Sequence, residues 1–180
     1  MNNFTLFLYV AEAAIMLFEL RALMENSAVN YYHPFSQAVV KLTSPLLKLL
    51  PRRAFSIGSF NCAGFAVALF ISLIFWLIAM SLLQGGTLAL GLLLGVLCTV
   101  KCLGYLLVGL MLVQAITSWL PATQSVSVLL GEITRPVVAP VQKIIPPIGM
   151  IDISLMVVLL AIFALDRLLA NLLGYVWLII

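Results

Sequence analysis

Residues 4–23, 61–83, 88–117 and 153–180 form four apolar runs, and residues 62–80 hold no charged side chain at all. Hydrocarbon offers no partner to backbone N–H and C=O groups, so a segment that enters it must satisfy its own hydrogen bonds as a helix of roughly 20 mostly apolar residues. Each run meets that length, and the sequence predicts an all-α membrane protein with four transmembrane helices. The third run would be about 45 Å long as a helix, so it tilts or reaches beyond the hydrocarbon. The chain of 180 residues is 64% hydrophobic and 8% charged. A soluble domain carries about 25% charged residues, and this chain has too few to cover a surface in water.

The first run contains Glu12 and Glu19, has no basic residues before it and no small-x-small site after it. It therefore reads as a retained span rather than a secretory signal. Gln84-Gly85-Gly86-Thr87 joins the second and third runs as a tight uncharged turn. The other two connections, residues 21–60 and 118–152, are long, and each holds an amphipathic stretch. Gln37, Lys41, Ser44 and Lys48 fall on one helical face, with Phe35, Val39, Leu42, Leu46 and Leu49 opposite. That pattern predicts an interfacial helix over 34–50 with its lysines toward lipid phosphates. A second one is predicted over 125–145, with a weaker polar face of Glu132, Arg135 and Gln142. Pro45, Pro136 and Pro140 should kink these helices, because proline supplies no N–H.

An internal repeat organises these segments. Thr43-Ser44-Pro45 recurs as Thr134-Arg135-Pro136, and the same shift of 91 residues carries Gly58 onto Gly149 and Asn61 onto Asp152. The reading is two repeats, residues 1–83 and 88–180, each built as span, interfacial helix, span. Two spans per repeat make the copies parallel, related by an axis along the membrane normal. Basic residues are concentrated in the long connections: Arg21, Lys41, Lys48, Arg52 and Arg53 in the first, Arg135 and Lys143 in the second. The positive-inside rule then turns both connections to the cytoplasm and both termini to the periplasm. Tyr31, Tyr32 and Trp119 fall where an aromatic belt is expected.

Ionisable groups inside spans are costly and are usually paired. Glu12, Lys101, Asp166 and Arg167 are the candidates for an intramembrane polar cluster. Measured from a boundary at Arg21, Trp119 and Asp152, Glu12, Lys101 and Asp166 lie about 14, 27 and 21 Å deep at roughly 1.5 Å per residue. In one reading Glu12 pairs with Lys101, and Asp166 with Arg167 or Lys101, to fix helix register. In the other, the carboxylates line a wet path for a cation. Gly91-x-x-x-Gly95 permits close helix packing within the molecule or across a homo-oligomer interface. Cys62, Cys98 and Cys102 read as buried thiols, with no disulfide framework and no metal site. One histidine and no glycine-rich phosphate loop argue against an enzyme, and nothing calls for a cofactor. No basic stripe interleaved with aromatics points to nucleic acid. The partners implied are the bilayer, anionic headgroups that meet Lys41, Lys48, Arg52, Arg53 and Lys143, and other membrane proteins.

The string Tyr32-His33-Pro34-Phe35-Ser36-Gln37, followed by Val39-Val40-Lys41-Leu42-Thr43-x-Pro45, resembles the first repeat of the YggT family of bacterial membrane proteins. Ser118-Trp119, Thr134-x-Pro136 and Ile145-Pro146-Pro147-Ile148-Gly149-Met150-Ile151-Asp152 resemble the second. The first copy departs from the family pattern at Phe55, where a second proline is usual, and at Asn61, where Asp is usual. The second has Gln142-Lys143 in place of an arginine pair. The resemblance includes a Glu and a Lys at Glu12 and Lys101, but not Asp166-Arg167. It implies a small inner-membrane protein associated with osmotic and ion stress tolerance, with plastid relatives linked to cofactor assembly or nucleoid organisation. A non-enzymatic membrane factor is the expected function, and an ion channel or transporter component with Glu12 and Asp166 on a cation path is the alternative.

Overall fold

The computed structural model describes residues 3–27, 29–48, 55–57, 60–82, 86–144 and 153–180. These residues form α1 (Asn3–Glu25), α2 (Pro34–Leu47), α3 (Ala63–Leu82), α4 (Leu88–Ser118), α5 (Gln124–Gln142), α6 (Ile153–Leu173) and the short α7 (Tyr175–Ile179). A small antiparallel ladder of β1 (Ser56–Ile57) and β2 (Phe60–Asn61) precedes α3 and pairs Ser56 with Asn61 and Ile57 with Phe60. Among the described residues, three helices are long and apolar enough to cross a membrane: α3, α4 and residues Ser154–Leu173 of α6. α1 has 23 residues, but Glu12, Glu19 and Arg21 interrupt its apolar character.

Local chemistry sets the helix starts. The Thr87 hydroxyl accepts the Leu90 N–H at 3.3 Å to open α4. His33 Nδ1 accepts the Phe35 N–H at 3.3 Å to open α2, and Pro34 occupies the first turn, where its missing N–H costs nothing. The Asn61 side-chain oxygen accepts the Ala63 N–H at 3.0 Å to open α3.

α4 is the central helix and packs against α3, α5, α1 and α6. In lipid there is little hydrophobic drive between helices, so close packing must hold them. A Cβ at Gly95 would lie 2.8 Å from Leu73 Cδ2 and 3.0 Å from Leu73 Cα, and one at Gly91 would lie 3.2 Å from Leu77 Cδ2. The Gly91-x-x-x-Gly95 pair is thus used within the molecule, seating α4 on α3, where the Ser72 hydroxyl also donates to Gly95 O at 2.7 Å. Gly64 of α3 does the same against α1, since a Cβ there would meet Ala22 Cβ at 2.8 Å. Trp76 and Ile15 are fully buried where α1, α3 and α4 meet. A second core joins α1, α2, α4 and α5 around Met24, Leu110 and Ile133, and a third sets Val158 of α6 against Met111 and Val138. α6 is peripheral, with Met156, Leu160, Phe163, Leu168 and Leu172 exposed.

α2 carries three stripes rather than two. Ser36, Val39, Thr43 and Leu47 are buried against the protein. Phe35, Leu42 and Leu46 are exposed and apolar, and Gln37, Lys41 and Lys48 are exposed and polar. Neither Pro45 nor Pro136 ends its helix.

The fourth apolar run is not one continuous helix over 153–180. It breaks at Gly174, whose φ of +55° suits glycine, and α7 folds back. The Trp177 Nε1–H donates to Asp166 Oδ1 at 3.0 Å. On an unbroken helix residues 11 apart would be about 16 Å apart along the axis, so this bond requires the reversal.

Candidate functional site

The expected intramembrane cluster divides. Lys101, near the middle of α4, directs its ammonium to the Trp177 carbonyl at 2.8 Å and the Ile180 carbonyl at 2.6 Å. The Trp177 oxygen belongs to the last turn of α7, where carbonyls lack helical partners, and Ile180 caps that helix. The same ammonium lies 5.2 Å from the Trp177 ring centre and 5.7 Å from that of Tyr105, within cation–π range. Lys101, Asp166, Tyr105 and Trp177 line a cavity of about 90 Å³ whose other walls are mainly aliphatic. The ion pairs expected of Glu12 with Lys101, and of Asp166 with Arg167 or Lys101, do not form: among the described residues the ion pair is Arg21 with Glu25. The physical reason is α7, which brings an indole N–H to Asp166 and orphan carbonyls to Lys101. Glu12 is half-buried and Arg167 is exposed.

A second polar centre stands where α1 meets the start of α3. Arg21 is not an exposed boundary cation; it is 6% exposed, its Nη2 lies 2.8 Å from Glu25 Oε1, and its guanidinium lies 5.6 Å from the Tyr31 ring centre. The other Glu25 oxygen accepts from Asn61 Nδ2 at 2.8 Å. Asn26 pairs with the Asn61 backbone like a strand, its Oδ1 accepting the N–H at 2.7 Å and its Nδ2 donating to the carbonyl at 2.8 Å. Asn61 is therefore the point at which the end of α1 and the start of α3 are tied together.

Sequence reasoning passed over Glu19 as a site. It is 0% exposed and neither carboxyl oxygen has a partner among the described residues. The available signal was its spacing of seven from Glu12, two helical turns along one face. The Trp76 Nε1–H is likewise buried without a partner. Cys98 and Cys102 are buried free thiols and Cys62 is half-buried. Among the described residues no three His, Cys, Asp or Glu side chains come together to hold a metal ion.

Thr43 and Thr134 behave alike. Both are buried, and each hydroxyl donates to the carbonyl four residues back: Thr43 to Val39 at 2.7 Å, Thr134 to Leu130 at 3.0 Å. Thr134 also lies 3.0 Å from Gln114 Oε1, which ties α5 to α4. Lys41, Lys48 and Lys143 are exposed. Arg52, Arg53, Gly58, Pro146, Pro147, Gly149 and Asp152 lie outside the described residues.

Membrane-length helices with charged groups held among them define an α-helical protein of membrane type. The sequence profile of CCB3/YggT matches residues 93–173. The YggT protein of Escherichia coli K12 is 30% identical over 168 residues, 92% of this chain and 88% of that one. A Haemophilus influenzae protein is 30% identical over 89% of this chain and 87% of its own length. A protein of the proC 3′ region of Vibrio alginolyticus is 29% identical over 91% and 90%. This chain belongs to the CCB3/YggT family. No solved structure matches it.

Proposed function

We propose that this protein is a four-span, non-enzymatic inner-membrane factor whose basic face holds anionic headgroups or a membrane-protein partner. Through that face it supports tolerance of osmotic and ion stress and the assembly or organisation of other membrane components. The observation that carries this reading is α2, where exposed Lys41 and Lys48 run beside exposed Phe35, Leu42 and Leu46. Such a helix rests its apolar stripe in the headgroup layer while its lysines meet phosphates. Each basic residue near an anionic membrane contributes about 1 kcal/mol, and Arg52 and Arg53 follow in the same connection of the sequence.

In this reading α1 is the fourth span, with Glu19 turned into the core. The two parallel repeats are supported by the order of elements: moved by 91 residues, α3 would run 154–173, and α6 is Ile153–Leu173. The matching threonine bonds in α2 and α5 point the same way. The long connections face the cytoplasm and the termini the periplasm, by the positive-inside rule.

The cation-path alternative finds less support. Asp166 already accepts from Trp177, and the cavity beside it holds the Lys101 ammonium, which repels cations. Purified protein in liposomes should therefore pass no potassium or sodium above empty vesicles. A flux lost in Glu12→Gln with Asp166→Asn would replace this proposal with the alternative.

A further inference from the structure

An apolar groove of about 430 Å³ runs between α1, α2, α4 and α5, walled by Met16, Phe35, Tyr105, Leu110, Val126 and Leu130. It adjoins a polar pocket of about 390 Å³ formed with Asn30, Gln124, Ser125 and Glu132, and His33 and Leu129 line both. An aliphatic slot that opens into a small polar chamber has the form of a single amphiphile, chain in the slot and head in the chamber. The head chemistry follows from the lining. Glu132 is half-buried, has no ion pair or hydrogen bond among the described residues, and is the one carboxylate of the chamber. His33 Nδ1 is occupied as an acceptor by the Phe35 N–H, so the neutral ring carries its proton on Nε2 and can donate it. Asn30 Oδ1 is engaged by the Tyr32 N–H at 2.9 Å, which leaves its amide N–H groups to donate. One anionic acceptor beside two neutral donors fits a zwitterion: an ammonium against Glu132 and a phosphodiester against His33 and Asn30.

We infer that this groove binds one glycerophospholipid whose head ends in a primary ammonium, of the ethanolamine type. A quaternary choline head has no N–H to give Glu132, and a glycerol head has no positive charge. The inference rests on α2 and α5 lying at the membrane surface, as proposed above, but not on the basic residues.

The test is native mass spectrometry of the full chain in detergent, titrated with dioleoyl phosphatidylethanolamine, phosphatidylcholine or phosphatidylglycerol of equal chain length. The wild type should retain one phosphatidylethanolamine about tenfold more strongly than either other lipid, the size of one charge-assisted hydrogen bond. Glu132→Gln, which keeps the shape and breaks no bond, should remove that preference. Gly109→Leu should abolish retention of the ethanolamine lipid, because Gly109 lines the groove and its Cβ would meet nothing within 4 Å. Equal retention of the three lipids by the wild type would overturn the inference, as would ethanolamine-lipid retention that survives both substitutions. A lipid-independent dimer lost in Gly109→Leu would overturn it too, by assigning the groove to a second copy. Lys41→Gln with Lys48→Gln is read on phosphatidylglycerol retention, so the basic-face reading fails or stands separately.

Discussion

At Asn61 the side-chain amide lies 2.8 Å from a Glu25 oxygen. An aspartate there, as at Asp152 in the matching position, would set two carboxylates against each other. The residue 91 beyond Glu25 is Ile116, so the second copy carries no acid at the position that matches Glu25. The first junction has not simply lost its acidic end; Glu25 supplies the carboxylate from α1 and Asn61 answers with a donor. Asn61→Asp should lower stability by about 1–3 kcal/mol, the cost of a broken and opposed half-buried polar contact. Glu25→Gln should restore most of it in the double variant, read as the thermal midpoint in detergent with a double-mutant cycle. An unchanged midpoint for Asn61→Asp would contradict this reading of the junction. The sequence made the Asn61/Asp152 difference visible but not its cause, because Glu25 lies 36 residues away and no local pattern joins the two. Lys101 was legible as a costly charge, whereas its partners were not: main-chain carbonyls leave no mark on a sequence.

Helices were the most legible scale. The apolar runs at 61–83 and 88–117 correspond to α3 (Ala63–Leu82) and α4 (Leu88–Ser118), because hydropathy and length together decide what lipid accepts as a helix. The failure at Gly174 has the same origin. α6 and α7 are both apolar, so hydropathy passes smoothly through a reversal that only backbone torsion and distant hydrogen bonds define. Amphipathicity also predicted α2, but a moment has one apolar side and could not divide that side between protein and lipid. If α2 and α5 lie on one membrane face, Lys48→Cys and Lys143→Cys, placed singly in a Cys62→Ser background, should share one labelling pattern. Both should resist a membrane-impermeant maleimide in intact cells and react after permeabilisation. Labelling of one from outside and the other only from inside would rule out parallel repeats.

For the molecule as a whole, two polar regions have different characters. The groups around Trp177 are satisfied by each other: ammonium to carbonyls, indole to carboxylate. Satisfied buried polar groups hold a helical arrangement in place and leave little for a passing ion to bind. The region of α2 and α5 is the reverse, with exposed lysines, exposed apolar side chains and open grooves. In the proposed reading, that contrast gives the interior a structural role and the surface the functional one. The most direct measurement is growth under high salt of cells that depend on this chain, carrying either of two variants at matched membrane levels. Changing Lys41, Lys48, Arg52 and Arg53 together to Gln should abolish stress tolerance, while Glu12→Gln with Asp166→Asn should retain it. Tolerance kept by the first variant and lost by the second would contradict the account.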